Sequence, residues 1–378
     1  MAYNSALAKK VGNGDASAVT SEDMNIELIN QGANASGNNP IVVTFEKSQR
    51  QYSINGKDGK IAEYTQPNIL DLVKIGDYIE YDPTYLDAEK TQMVDSSKLT
   101  YTSLTGSATE HGNGYTSTET GGGQKFTAKS GLKWRILNVK ADKLEIIPSE
   151  MIKKDMDDVN HGYGYFGLSG ARGYLYAEQE LHEICKIYGY GIGADTSKRF
   201  NYVTGDLVEG TETGEITGSG ARSINVDDIN KMTGYSPTTG SSYTHSIIYP
   251  TKTTSTGKST SATSRTYADT YYSYTGSSYL TSTEEPYKML FRNTANSSDI
   301  SYWLTSRCIY VYPDNDIARF GVRCVRSGSL SDYGFLYGYS NDFIEYPYSL
   351  GVRPIVYLKS TIQTSGKDSS GAWIIMDN

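Results

Sequence analysis

Three cysteines, Cys185, Cys308 and Cys324, are too few for a disulfide framework, and none stand at a CxxC spacing that would hold zinc. Whether Cys308 and Cys324 pair depends on whether their strands lie side by side. The four histidines, His111, His161, His182 and His245, show no HxxxH or histidine–carboxylate spacing, which favours capping or solvent-facing roles over metal ligation. No apolar run reaches the 18 residues a membrane span requires. Positive charge is also short: 35 Lys and Arg against 43 Asp and Glu leave a net charge of −8, and a nucleic-acid partner would need a basic face. GxSxG, a P-loop and paired carboxylates are all missing. Asp155, Asp157 and Asp158 resemble a calcium-loop fragment without its glycine and terminal glutamate, and PDND (313–316) reads as an Asx turn. These absences point away from an enzyme and imply no cofactor, no metal and no nucleic acid.

Present in excess are 33 tyrosines and 38 glycines, in a chain only 37% apolar. Tyrosine among Gly, Ser, Thr and Asn is the chemistry of binding surfaces, where rigid amphipathic rings give contact area and small polar neighbours give adaptable hydrogen bonds. The same composition suits an all-β protein, since Tyr and Thr favour strands and Gly favours turns.

The pattern along the chain divides it at residue 66. Residues 1–66 begin with a predicted helix capped at Thr20, with Asp23 at capping-box spacing before Met24, Ile26, Leu28 and Ile29. IVVTFE (41–46), RQYSI (50–54) and KIAEY (60–64) follow as a strand meander, with an Asn55-Gly56 turn. In residues 67–378, strands are expected at 71–81, 131–139 and 143–149, the last two as a hairpin, with an exposed Gly/Ser/Thr loop over 103–124. Helices are expected at 175–189, where Leu175, Leu181, Ile184, Cys185 and Tyr188 share a face and Gly189 is a stop, and at 225–234, between Asn225 and Gly234. The Ser/Thr/Tyr-rich stretch 236–285 has no apolar period and reads as an irregular surface insertion. Short strands return at 301–312, 318–325, 333–339, 351–358 and 372–376. Trp303 and Ile355, in the strongest apolar strands, are expected to be buried in one sheet.

The segments YWLTSRC, FGVRCV and GVRPIVYLKS (302–360), with YLYAEQELHEICKIYG (174–189) and GARSINVDDINKMTGY (220–235) at helix positions, resemble bacterial C-type-lectin-like domains over roughly residues 70–376. The resemblance implies an α+β, C-type-lectin-like fold of short strands, two helices and long loops, with a ligand face in 301–358. It gives Arg353 of GVRP the role of satisfying buried carbonyls and Trp303 a core role; an exposed strand arginine is the alternative for Arg353. The N-terminal helix and meander are similar to pilin-like proteins, whose anchoring helix would precede the Met-Ala-Tyr-Asn start. That implies an extracellular or cell-surface location, and assembly into a pilus or surface structure through this region. Glu-Pro-Asn, Gln-Pro-Asp and Trp-Asn-Asp, which coordinate calcium in sugar-binding members, do not occur. The fold also hosts formylglycine-generating oxidases, for which Cys308 and Cys324 are the only candidate pair, without a His or Lys cluster to activate a thiol.

Some members of this fold are the variable proteins of diversity-generating retroelements, in which adenines of AAY codons are rewritten. Such rewriting reaches fifteen residue types and never Lys, Glu, Gln, Met or Trp. Residues 308–353 contain no Lys, Gln, Met or Trp and one Glu, Glu345, where composition alone leads one to expect about seven of these types. Binding loops in general also avoid Lys and Glu, so a face of fixed specificity has the same signature. Both readings place the ligand groups on Tyr310, Tyr312, Asp314, Asn315, Asp316, Arg319, Asp332, Tyr333, Phe335, Tyr337, Tyr339, Asn341, Asp342, Phe343 and Tyr346, with period-two alternation sending some inward. The expected partner is a protein, peptide or glycan. A structural minor pilin or surface subunit with no specific ligand is the main alternative, and the oxidase the second.

Overall fold

The computed structural model describes residues 42–46, 51–55, 61–65, 69–105, 108–109, 116–117, 122–140, 143–155, 164–202, 204–234, 241–250, 262–271, 283–293, 300–312, 317–331, 335–339, 343–345 and 347–376. The helix expected near Thr20 lies outside them. The first strands, β1 (Val42–Glu46), β2 (Gln51–Asn55) and β3 (Ile61–Thr65), form an antiparallel meander. Its register aligns Val43, Ile54 and Ala62 in one cross-strand row and Phe45, Tyr52 and Tyr64 in another of the same parity, while Val42 and Ile61 flank Asn55 in an alternate row.

Next come β4 (Tyr78–Glu80), β5 (Trp134–Lys140), β6 (Lys143–Pro148), helix α1 (Gly170–Lys186), β7 (Ala221–Ser223) and helix α2 (Val226–Thr233). A hairpin, β8 (Ser241–Pro250) and β9 (Ala262–Tyr271), precedes helix α3 (Glu285–Phe291). The C-terminal part supplies β10 (Tyr302–Tyr312), β11 (Ile317–Arg326), β12 (Ser329–Ser331), β13 (Phe335–Tyr339), β14 (Phe343–Glu345), β15 (Pro354–Leu358), β16 (Gln363–Lys367) and β17 (Trp373–Met376).

Seven strands form the central sheet in the order β7-β15-β6-β5-β4-β17-β16, antiparallel except for the parallel β4–β17 pair. Its two faces bury two cores. On one side Trp134, Ile136, Leu144, Ile146, Val356 and Leu358 pack with Ala177, Leu181, Ile184 and Cys185 of α1. On the other Leu137, Ile147, Ile355 and Tyr357 pack with Val226 and Ile229 of α2 and Met289, Leu290 and Phe291 of α3. A strand covered on both faces reads as a continuous apolar run rather than an alternation, and PIVYL of β15 is buried at all five positions. Burying one Leu or Ile side chain is worth about 2 kcal/mol, so this double-sided core dominates the fold's stability.

Trp303 and Ile355 are both fully buried, but not in one sheet. Trp303 belongs to the sheet of β10–β14 and to the α1-side core, whereas Ile355 lies in the central sheet and faces the α2–α3 side. Trp303 N donates to Gly351 O at 2.9 Å, just before β15 begins. Arg353, fully buried, donates from Nη1 to Met289 O at 2.6 Å and from Nη2 to Pro148 O, joining α3 to the end of β6.

Four other expectations change. The strand expected over 71–81 shrinks to β4, because Ile69–Asp71 turns as a 3-10 helix and Gly76 takes φ +93°. Helix α1 starts five residues before 175 and ends at Lys186, capped by Ile187; Gly189 is needed for another reason, since a Cβ there would meet Ser219 Oγ at 2.1 Å. Three α-helices occur among the described residues rather than two, α3 having a proline in its first turn. Most consequentially, 236–285 is not irregular throughout: β8 and β9 pair over ten rows without a bulge. The Thr and Tyr that deprive this stretch of an apolar period are themselves strand formers. Helix α2 lies between Asn225 and Gly234, with a capping box closed by Asp228 and Gly234 at φ +66°. The ends of the 103–124 stretch are tied down: Ser103 and Gln124 are buried, and the Gln124 amide exchanges hydrogen bonds with the backbone of Gly167.

Candidate ligand-binding face

The second sheet runs β10-β11-β13-β14, with β12 paired to β11. Its root is set in the core. Trp303, Val322, Cys324 and Leu336 join the α1-side core, Tyr302, Leu304 and Val325 the other. Trp303 Nε1 donates to Phe166 O at 2.9 Å, and its ring meets Tyr348 edge-on at 5.7 Å. Helix α1 packs across β10, β11 and β13. Gly173 lets the helix approach closely there, since a Cβ would come to 3.3 Å from both Leu168 and Leu336. Arg307 of β10 reaches Glu178 of α1 at 3.0 Å and lies over the Tyr174 ring.

Polar groups fix α1 in turn. Glu180, 1% exposed, accepts from Tyr101 Oη, Leu104 N and Arg172 Nη2, each at 3.0 Å, and burial pushes its carboxyl up to about 7 against the pull of Arg172. His182, fully buried two residues on, accepts at Nδ1 from Ser223 N. Burial, with the nearby Arg222 charge, lowers it to about 3. Arg222 makes a bidentate pair with Asp228 at 2.6 and 2.7 Å. Burial alone would raise that carboxyl, but Arg222 and the α2 cap hold it below its ordinary value.

Beyond this root the strands carry seven of the fifteen candidate residues: Tyr310, Tyr312, Arg319, Phe335, Tyr337, Tyr339 and Phe343. Register brings them together in cross-strand rows but divides them between two faces. Tyr310 pairs with Arg319 and Tyr312 with Ile317, and Phe335 occupies the row of Gly321 and Cys308, of the same parity. Tyr337, opposite Phe320 and Glu345, and Tyr339, opposite Ala318 and Phe343, belong to the alternate rows, the parity that continues Val322 and Cys324 of the core. A single face holding all seven is therefore excluded by period two; the sheet has a Tyr310–Tyr312–Arg319–Phe335 side and a Tyr337–Tyr339–Phe343 side. Asp314, Asn315, Asp316, Asp332, Tyr333, Asn341, Asp342 and Tyr346 lie outside the described residues.

Cys308 and Cys324 stand on adjacent strands out of register, Cys308 opposite Gly321 and Cys324 opposite Trp303; both are buried, and no disulfide joins them. Among the described residues no three His, Cys, Asp or Glu side chains gather as a metal site, and no helix is long and apolar enough to cross a membrane.

Sequence reading missed the β8–β9 hairpin, which packs beside β10 through β9. Its register assigns Tyr243, His245, Ile247, Tyr249, Arg265, Tyr267, Asp269 and Tyr271, with Ser241 and Thr263, to one parity, and Ser242, Thr244, Ser246, Ser264, Thr266, Ala268 and Thr270, with Ile248, Pro250 and Ala262, to the other. The signal was present as alternation of large and small residues rather than of apolar and polar ones. Compared with known proteins, the chain matches no family model, no curated protein and no solved structure.

Proposed function

We propose that this chain is a non-catalytic recognition protein of C-type-lectin-like type, displayed at the bacterial cell surface, with its ligand face on the outer parts of β10–β14 and the loops between them. The observation that carries the reading is the contrast within one sheet. Its root is fixed by Trp303, Val322, Cys324 and Leu336, while the strands leaving that root bring Tyr310, Tyr312, Arg319, Tyr337, Tyr339 and Phe343 into adjoining rows. Tyrosines held on a rigid base lose little entropy on binding, and clustered aromatics are where binding energy concentrates. The ligand is a protein, peptide or glycan surface. The depletion of Lys, Gln, Met and Trp in 308–353 supports a face diversified through AAY codons. The meander suits an anchoring or assembly role for residues 1–66.

The test compares the parent chain with Tyr310→Ala/Tyr312→Ala and Tyr337→Ala/Tyr339→Ala double variants on displayed random-peptide and glycan arrays. Ligands retained by the parent should be lost by at least one double variant with the thermal midpoint unchanged. Identical retention by both variants, or no retained ligand at all, overturns the reading and leaves a structural surface subunit. Sequenced natural copies should differ mainly at AAY-derived positions, with Trp303 and Arg353 constant; substitutions spread evenly along the chain would remove the diversification.

A further inference from the structure

The central sheet holds a cavity away from the candidate face. Strands β4, β5 and β17 and the loops beside them line about 420 Å³, and none of the lining residues comes from 301–358. That volume is in the range of small-molecule sites. Register explains why space opens there. The short strand β4 lies between β5 and β17, with Ile79 opposite Trp134 on one side and Trp373 on the other. β4 ends at Glu80, and beyond it the stretch before Trp134 and the end of β17 run on without a strand between them. The apolar wall of the gap is Ile79, Tyr81, Leu132, Trp134, Ile192 and Ile375.

The chain has three tryptophans, and the indoles of two are engaged: Trp303 Nε1 donates to Phe166 O at 2.9 Å and Trp373 Nε1 to Asp77 Oδ2 at 2.8 Å. Trp134, on the cavity wall, is as deeply buried as Trp303, yet its N–H has no hydrogen-bond partner. A buried donor left unpaired is costly, and an acceptor brought to it removes that cost. The other polar groups are committed. Tyr81 Oη donates to Tyr188 O at 2.6 Å and accepts from Gly191 N at 3.2 Å. Asp82 accepts from Thr84 and pairs with Lys90 at 3.4 Å, and Asp87 accepts from the backbone and hydroxyl of Thr91 and from Gln92 N. Glu80 and Lys133 stand exposed at the rim, where ion pairs are worth little.

We infer that the cavity binds a small neutral ring molecule, apolar over most of its surface, with one carbonyl-type acceptor for Trp134 Nε1. The ring system packs on the isoleucines and Leu132 of the wall. A hydrocarbon of the same shape keeps that packing and loses the hydrogen bond. An ion gives up its hydration and gains no buried partner. The site is independent of the recognition face.

The probes are 2-acetylnaphthalene, 2-ethylnaphthalene and 2-naphthoate, titrated into the isotope-labelled full chain while NMR follows the three indole N–H signals. Trp134→Phe and Trp373→Phe assign two of these signals, and Trp303 takes the third. The ketone should move the Trp134 signal downfield, leave that of Trp303 in place, and bind about tenfold more tightly than the hydrocarbon, the scale of one buried hydrogen bond. Naphthoate should bind more weakly than the ketone. Trp134→Phe, which keeps an aromatic ring and removes the donor, should bring the ketone to the hydrocarbon's affinity. Leu132→Asp, at a partly exposed position of the wall, should weaken ketone and hydrocarbon alike, and it carries the test should the Trp134 variant not fold. Equal affinity for ketone and hydrocarbon, no binding of either at its solubility limit, a Trp134 signal that stays in place, or a Leu132→Asp protein that binds both as well as the parent would each overturn the inference.

Discussion

Strands β15 and β13 are each five residues long and lie in neighbouring sheets, yet they obey different rules. Every residue of β15 is buried, Ile355 and Tyr357 in one core and Val356 and Leu358 in the other. In β13 Leu336 enters the core at a register shift, and Tyr337 and Tyr339 run on along the sheet into cross-strand rows with β14. Close packing on two sides leaves β15 almost no choice of sequence. A strand without such packing can change its side chains at little cost to the fold, which is what the proposed recognition face requires. The difference teaches that packing constrains β15 along its whole length, whereas the proposed recognition role assigns variation to the strands beyond Leu336.

The sharpest way to break the comparison is to remove what holds the root. Trp303→Ala should cost about 3–5 kcal/mol in urea denaturation, the range for deleting a fully buried large aromatic. Arg353→Met should follow at about 3 kcal/mol, because the carbonyls of Met289 and Pro148 lose their donor while remaining buried. Arg353→Lys should not restore it, since one ammonium does not reproduce the two-pronged guanidinium.

A milder test uses protons. Glu180 has its folded-state value raised from 4.5 to about 7, so it contributes stability that is complete below pH 4.5 and gone above pH 7. His182 is lowered from 6.5 to about 3, so stability is lost as pH falls below 6.5 and the unfolded chain takes up the proton. Between pH 4.5 and 6.5 the two slopes oppose, each roughly 1.4 kcal/mol per pH unit. Parent stability should therefore be nearly flat there. Glu180→Gln should leave a curve that rises with pH and His182→Gln one that falls, both read from denaturant midpoints. Flat curves in both variants would show that neither group titrates as its surroundings imply. The smallest effect belongs to the outer strands: Tyr310→Ala/Tyr312→Ala should change stability by about 0.5 kcal/mol or less per residue. A larger loss would mean that β10 beyond Cys308 shares the constraints of β15.

Local signals in the sequence were legible. Asn225 and Gly234 delimit α2, and the β5–β6 hairpin and the meander follow from short apolar runs with turns between them. What escaped depends on distant partners. The first turn of α1, Gly-Ala-Arg-Gly, holds two glycines, poor helix formers, one of which, Gly173, lies close to Leu168 and Leu336. The β8–β9 hairpin escaped because its alternation is of size, not polarity. For the candidate face, the strands could be read but not the division of its tyrosines between two sides, which rests on the β11–β13 register shift between Phe320 and Gly321. The cavity was invisible, since its walls come from residues 78–90, 131–134, 192 and 370–375.

The parallel pairing of Trp373 with Ile79 joins β17, near the end of the chain, to β4, near the start of the described core. Contacts of such sequence separation pay a large loop-closure entropy before they are rewarded, and domains rich in them fold slowly. Until β17 is made, β4 has β5 alone beside it and one edge of the sheet is open. A nascent chain of this protein therefore cannot complete its central sheet until β17 has been synthesised, so that a long interval separates the appearance of β4 from the closing of the sheet around it.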